Sequence, residues 1–179
     1  NAAWTAILQG QVMTDASALG WWGVPLAILG GAIRVGTPLL WVSLGETVTE
    51  KAGRINLGLE GTLLMGAMTA FAVSLATGSP WLGCLAAAGV GVLLGMLHGA
   101  LCSLARVNDT AMGIALMLAG SGLAFWLGKP LIQPSAPGLP AIALGGWSDV
   151  AAVKASLAIN PLFILGLVLL VVGADQLVA

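Results

Sequence analysis

The chain has 179 residues, 59% of them hydrophobic and only 7% charged, with a formal net charge of -1 and a mean hydropathy of +1.03. A soluble domain carries roughly 25% charge, and a chain this short cannot bury so much apolar side chain in its own core. A general basic nucleic-acid binder is excluded by the same balance of charge. Lipid is therefore the solvent for most of the surface, and the fold class is an all-α, polytopic transmembrane helix bundle of about five spans.

Residues 1–24 read as a tail or interfacial segment and residues 25–179 as a transmembrane domain. Residues 1–20 carry a single charge, Asp15, and Trp21 and Trp22 mark a membrane interface, where indole is well accommodated. The first span, residues 25–44, has about the ~20 residues a bilayer requires. It contains Arg34, which must either face a protein interior or snorkel to the headgroups, and Pro38, which removes a helical hydrogen bond and introduces a kink.

A polar, glycine-punctuated stretch follows at residues 45–61, GETVTEKAGRINLGLEG, holding Glu46, Glu50, Lys51, Arg54 and Glu60. The next apolar segment, residues 62–77, is short for a span, and the turn signal GSP closes it. If residues 55–61 enter the membrane too, the length suffices, but Glu60 is drawn into a medium of low dielectric. The stretch thus divides into a surface turn, residues 45–54, and a membrane-entering or re-entrant segment, residues 55–61.

Residues 81–105 form the clearest span. Gly83, Ala87, Gly91, Gly95, Gly99 and Ser103 recur every fourth residue, a small-residue stripe that lets helix backbones approach closely in lipid. Gly91, Gly95 and Gly99 are its expected packing centre. His98, beside the stripe, is expected to donate an interhelical hydrogen bond rather than relay protons. Cys84 and Cys102 lack metal-site spacing and read as small apolar packing residues.

A link at residues 106–109 leads to a span at 110–127. Beyond it lies a Pro- and Gly-rich loop of about thirty residues with a short interfacial helix expected at 149–158. A last span opens at Pro161 and runs to Val172 or beyond. Alternation of the spans puts Lys51, Arg54 and Arg106 on one face and Lys129 and Lys154 on the other, with Trp21, Trp22, Trp81 and Trp147. The positive-inside rule and the long outer loop together place the first face in the cytoplasm.

One histidine and two isolated cysteines supply neither a catalytic triad nor a zinc site. Gly128-Lys129 is not a phosphate-binding loop, since Pro130 follows and the glycine five residues earlier is missing. No catalytic residue, metal ligand or cofactor site is therefore expected, and energy for active transport must come from another chain or an ion gradient.

The blocks TPLL (Thr37–Leu40), LGE (Leu44–Glu46), EKAGRINLGLEG (Glu50–Gly61) and LMGA (Leu64–Ala67) occur in an order that resembles the membrane permeases of bacterial ABC importers. Within the branched-chain amino acid and simple-sugar superfamily the pattern is most similar to nucleoside and simple-sugar permeases. It covers roughly residues 34–70 well and residues 108–129 more loosely.

The resemblance implies a multi-pass subunit of the bacterial plasma (inner) membrane. Its implied partners are cytoplasmic ATPase subunits, a second permease subunit and an extracytoplasmic solute-binding protein. Family members are longer and carry a cytoplasmic coupling segment, so the chain is expected to be the N-terminal part of a permease. On this reading Asn56, Gly58 and Glu60 contribute to the substrate pathway, the glycine by allowing backbone approach.

The plainer alternative makes Glu46, Glu50, Lys51 and Arg54 a solvated loop and Glu60 a helix-start carboxylate. Two other function classes stay open at this point: an ion-coupled secondary carrier or channel, and a purely structural membrane subunit.

Overall fold

The computed structural model describes residues 21, 23–144, 146 and 157–178. The expected tail at residues 1–20 and most of the interfacial helix expected at 149–158 lie outside them. Among the described residues there are five α-helices: α1 Gly23–Lys51, α2 Leu59–Thr77, α3 Pro80–Cys102, α4 Asp109–Gly128 and α5 Pro161–Val178. A 3-10 turn, Lys129–Leu131, extends α4, and two short strands, β1 Ile142–Ala143 and β2 Ala158–Ile159, pair antiparallel. Among the described residues four helices, α1 to α4, are long and apolar enough to cross a membrane, and α5 carries a shorter apolar stretch, Pro161–Gly173.

The chain separates into two compact units. One comprises residues 1–40 and 140–173: the first part of α1, the β1–β2 pair and the first part of α5. Here the Thr37 hydroxyl donates to the Ile33 carbonyl at 2.8 Å, one residue before Pro38, which has no N–H to give. Arg34 is exposed on α1.

The other unit comprises residues 41–139 and 174–179 and is built on α2, α3 and α4. The interruption expected after the first span lies between α1 and α2, and α2 itself is continuous. α1 runs past residue 44 to Lys51, and the Thr47 and Thr49 hydroxyls bond back to the Ser43 and Gly45 carbonyls. Glu46 and Glu50 therefore stand on a helix, whereas the sequence placed them in a surface turn.

α1 ends in a Schellman motif. Gly53 has φ +74°, its N–H donates to the Glu50 carbonyl at 2.9 Å, and the Arg54 N–H donates to the Thr49 carbonyl at 3.2 Å. A glycine takes this left-handed position without the Cβ penalty, so the EKAGR run is a helix stop. Gly78 (φ +70°) ends α2 similarly, with its N–H on the Ser74 carbonyl, and Pro80 opens α3 where no donor is needed.

Small residues set the helix contacts. Beside Gly83 of α3, a Cβ would come within 2.5 Å of the Ala70 carbonyl oxygen on α2; farther along, Gly66 faces Ala87. The small-residue stripe thus meets α2 through Gly83 and Ala87. A Cβ at Gly91, Gly95 or Gly99 would meet nothing within 4 Å among the described residues. A spacing of four drifts by about 40° per step around a helix of about 3.6 residues per turn, so the stripe turns off the face that meets α2 and its centre stays open on this unit.

Candidate functional site: the α1–α2 turn and its glycine crossing

The polar stretch singled out by the sequence is pinned from both sides. The Asn56 backbone N–H donates to Glu46 Oε1 at 3.3 Å, and Asn56 Oδ1 accepts from the Gly58 N–H at 2.9 Å. The second contact is an Asx turn, in which the side chain takes the place of a backbone acceptor just before the helix begins. Glu46 Oε2 is buried and has no hydrogen-bond donor among the described residues.

Arg54 joins this turn to the link between α3 and α4. Its Nη1 donates to the Cys102 carbonyl at 2.5 Å and to Asp109 Oδ1 at 3.0 Å, with Oδ2 at 3.4 Å. The cation thereby meets the last turn of α3, where carbonyls lack helical partners, and the acid that opens α4. Asn108 caps α4, accepting from the Ala111 N–H at 3.0 Å. Arg106, in the same link, has φ +81° and is exposed.

Behind the turn, α2 and α4 cross almost backbone to backbone. A Cβ on Gly58 would lie 3.1 Å from the Gly113 carbonyl oxygen, and one on Gly113 would lie 2.7 Å from Leu57 N. One on Gly61 would lie 2.8 Å from Leu116 O, Met117 Cα and Met117 O, while one on Gly120 would lie 2.9 Å from the Gly61 carbonyl. Gly61, Gly113 and Gly120 thus form a seam with no room for a side chain, and Gly58 continues it with a fit tighter than ordinary contact.

Of the residues expected on the substrate pathway, Asn56 is half-buried with its amide oxygen engaged by Gly58, and Gly58 is buried in the seam. Glu60 sits exposed in the first turn of α2, where a carboxylate is favoured by the helix macrodipole. The length conflict of the sequence disappears because α2 starts at Leu59, giving 19 residues with Glu60 at their beginning.

His98 is buried on α3, but its recorded contact is to Cys102 one turn on, with Sγ 3.7–3.9 Å from the ring nitrogens. The expected interhelical donor is thus in an intrahelical contact. Among the described residues no group of three or more His, Cys, Asp or Glu side chains is placed to hold a metal ion.

Sequence reasoning missed Gly113, Gly120 and Asp109. The signal for the glycines was available: Gly113, Gly120 and Ala124 are the buried residues of α4, spaced by seven and four, which is one helix face.

The family model described as branched-chain amino acid transport system / permease component matches residues 28–174. The chain belongs to this permease family. The match runs through the α1–α2 turn and the α2–α4 seam, and with four helices able to span a bilayer the permease chain is a multi-pass protein of the plasma (inner) membrane.

A Haloferax volcanii protein bearing the name of a glucose ABC transporter permease is 37% identical over 113 residues, 63% of this chain and 34% of the relative. The guanosine ABC transporter permease of Bacillus subtilis is 33% identical over 98 residues, 51% of this chain and 31% of the relative. The nucleoside ABC transporter permease of Lactococcus lactis is 30% identical over 106 residues, 56% and 33%. The matched stretches thus span about a third of these relatives' length. No solved structure matches the chain significantly.

Proposed function

We propose that the chain forms part of the membrane pathway of an ABC importer for a small polar solute of the nucleoside or simple-sugar class. Residues 25–179 act as its transmembrane permease part, and residues 1–24 precede it as a tail. ATP is hydrolysed by separate ATPase subunits, a second permease subunit completes the pathway, and an extracytoplasmic protein delivers the solute. The observation that carries the reading is the family match over residues 28–174, with sugar and nucleoside ABC permeases among the relatives.

The chemistry of the α1–α2 turn supports a role for Asn56, Gly58 and Glu60 on that pathway. A carboxylate at the start of an apolar span must face water, a partner or the solute, because hydrocarbon would cost on the order of 2.5–3.5 kcal/mol for an acidic side chain. Glu60, exposed on α2, is the residue able to accept from a solute hydroxyl, while Asn56 and Gly58 hold the helix start that aims it. Gly91, Gly95 and Gly99 are left to receive another helix of the assembled transporter, for which close backbone approach is what they offer.

The test is uptake of labelled nucleosides and sugars by cells carrying the whole transporter. Uptake is expected to stop when the ATPase partner loses its phosphate-binding lysine and to fall with Glu60→Gln at unchanged membrane abundance. Uptake that survives ATPase inactivation but collapses with the ion gradient would replace this reading with an ion-coupled carrier.

A further inference from the structure

A second feature of the α2–α4 pair lies toward the opposite end from the Arg54–Asp109 contact. Past the glycine seam the two helices part, and a groove of about 260 Å³ opens between Leu64, Met68 and Phe71 on α2 and Ala124 and Gly128 on α4, with Leu131 of the 3-10 turn also lining it. No polar side chain lines it. Its volume lies just below the ~300–1,000 Å³ of small-molecule sites, and a lining without polar side chains offers a hydroxylated solute little to bond with.

The charge around the groove is as selective as its lining. Lys129 is the single charged residue between Asp109 and Asp149; it is exposed, follows lining residue Gly128 directly and comes two residues before Leu131. Trp126 is exposed on the same turn of α4. An indole and a lone cation at the end of an apolar slot between spanning helices match a phospholipid: the acyl chain in the slot, the phosphate at the ammonium, the indole at headgroup level.

We propose that this groove is a binding site for an anionic phospholipid, with one acyl chain held between α2 and α4 and the headgroup phosphate paired with Lys129. Gly128 gives a clean way to close it. A Cβ there would meet only Met68 Cγ, at 3.6 Å, an ordinary contact, and its φ of -76° suits any residue. Gly128→Leu therefore fills the slot without forcing backbone to move.

The full-length protein is reconstituted in vesicles of phosphatidylcholine and phosphatidylglycerol, either lipid carrying a photoactivatable group in mid-chain, and labelled peptides are mapped. Phosphatidylglycerol is expected to label residues 64–71 and 124–132 in preference to phosphatidylcholine. Gly128→Leu should cut that labelling by about tenfold or more, since each methylene displaced changes partitioning about fourfold. Lys129→Gln should abolish the headgroup preference and leave chain labelling in place. Ala67→Phe, at an exposed position that also lines the groove, serves as a second filling variant if Gly128→Leu does not fold. Equal labelling by the two lipids in the unaltered protein, labelling unmoved by either filling variant, or no labelling because another protein segment covers the groove would each overturn the proposal.

Discussion

Replacing Gly61 with alanine tests the α2–α4 seam most directly. The added Cβ would lie 2.8 Å from three backbone atoms of Leu116 and Met117, and none of them is a side-chain tip that can swing aside, so the helices must separate. Overpacking of this kind costs about 1–3 kcal/mol. Helix propensity returns less than about 1 kcal/mol, because Gly61 is only the third residue of α2.

The internal reference is Gly89→Ala on α3, outside the small-residue stripe, where the Cβ meets nothing within 4 Å and only the propensity gain remains, about 1 kcal/mol. The two variants should differ by about 2 kcal/mol, which at roughly 2–4 °C per kcal/mol for 150–250 residues separates their Tm values by at least about 4 °C. The assay is thermal unfolding of the purified protein in one detergent. Gly61→Ala together with Gly120→Ala should destabilise by less than the sum of the singles, since each relieves part of the other's clash. A Gly61→Ala protein as stable as Gly89→Ala would refute the seam.

Arg54→Ala should lower stability by about 1 kcal/mol, a modest effect because the ion pair with Asp109 is partly open to solvent, with side chains 39% and 22% exposed. Arg54→Lys should retain part of it in the same melt. Arg106→Gly should raise the Tm, since a non-glycine residue at φ +81° carries about 1–2 kcal/mol of backbone strain; a lower Tm would count against that geometry. Asn108→Ala should cost about 1 kcal/mol through loss of the α4 cap, whereas Asn108→Asp keeps an acceptor for the Ala111 N–H. Amide exchange at the start of α4 distinguishes the two.

The spanning helices were legible because hydropathy and length alone demand them: residues 81–105 and 110–127 became Pro80–Cys102 and Asp109–Gly128. The extent of α1 was not. Glu46, Glu50 and Lys51 read as a loop by their charge, yet the Schellman signal at Gly53 was the true helix stop, and charge bears on where the helix meets water rather than on where it ends. Length bookkeeping left Glu60 between a membrane-entering segment and a helix start; the Asx turn of Asn56 fixes the start of α2 and puts Glu60 in its first turn.

The stripe on α3 was visible as a period, but a period states that close approach is possible and not which stretch has a partner. Gly113 and Gly120 were hidden among 26 glycines. Only their shared face with Ala124 separates them from glycines that meet nothing. Asp109 lay in plain sight beside Arg106, but its partner, Arg54, is 55 residues away, beyond the reach of any local pattern.

The seam also fixes an order of events during synthesis. α2 and α4 are separated by the whole of α3, so the face bearing Gly58 and Gly61 enters the bilayer before its counterpart has been translated. At about 5–20 residues per second, Gly113 and Gly120 follow after several seconds, during which lipid must cover the glycine face and later be displaced. The Arg54–Asp109 contact closes only when the start of α4 arrives, so formation of that ion pair on the ribosome-bound chain reports the first docking of α4, before Gly120 completes the seam.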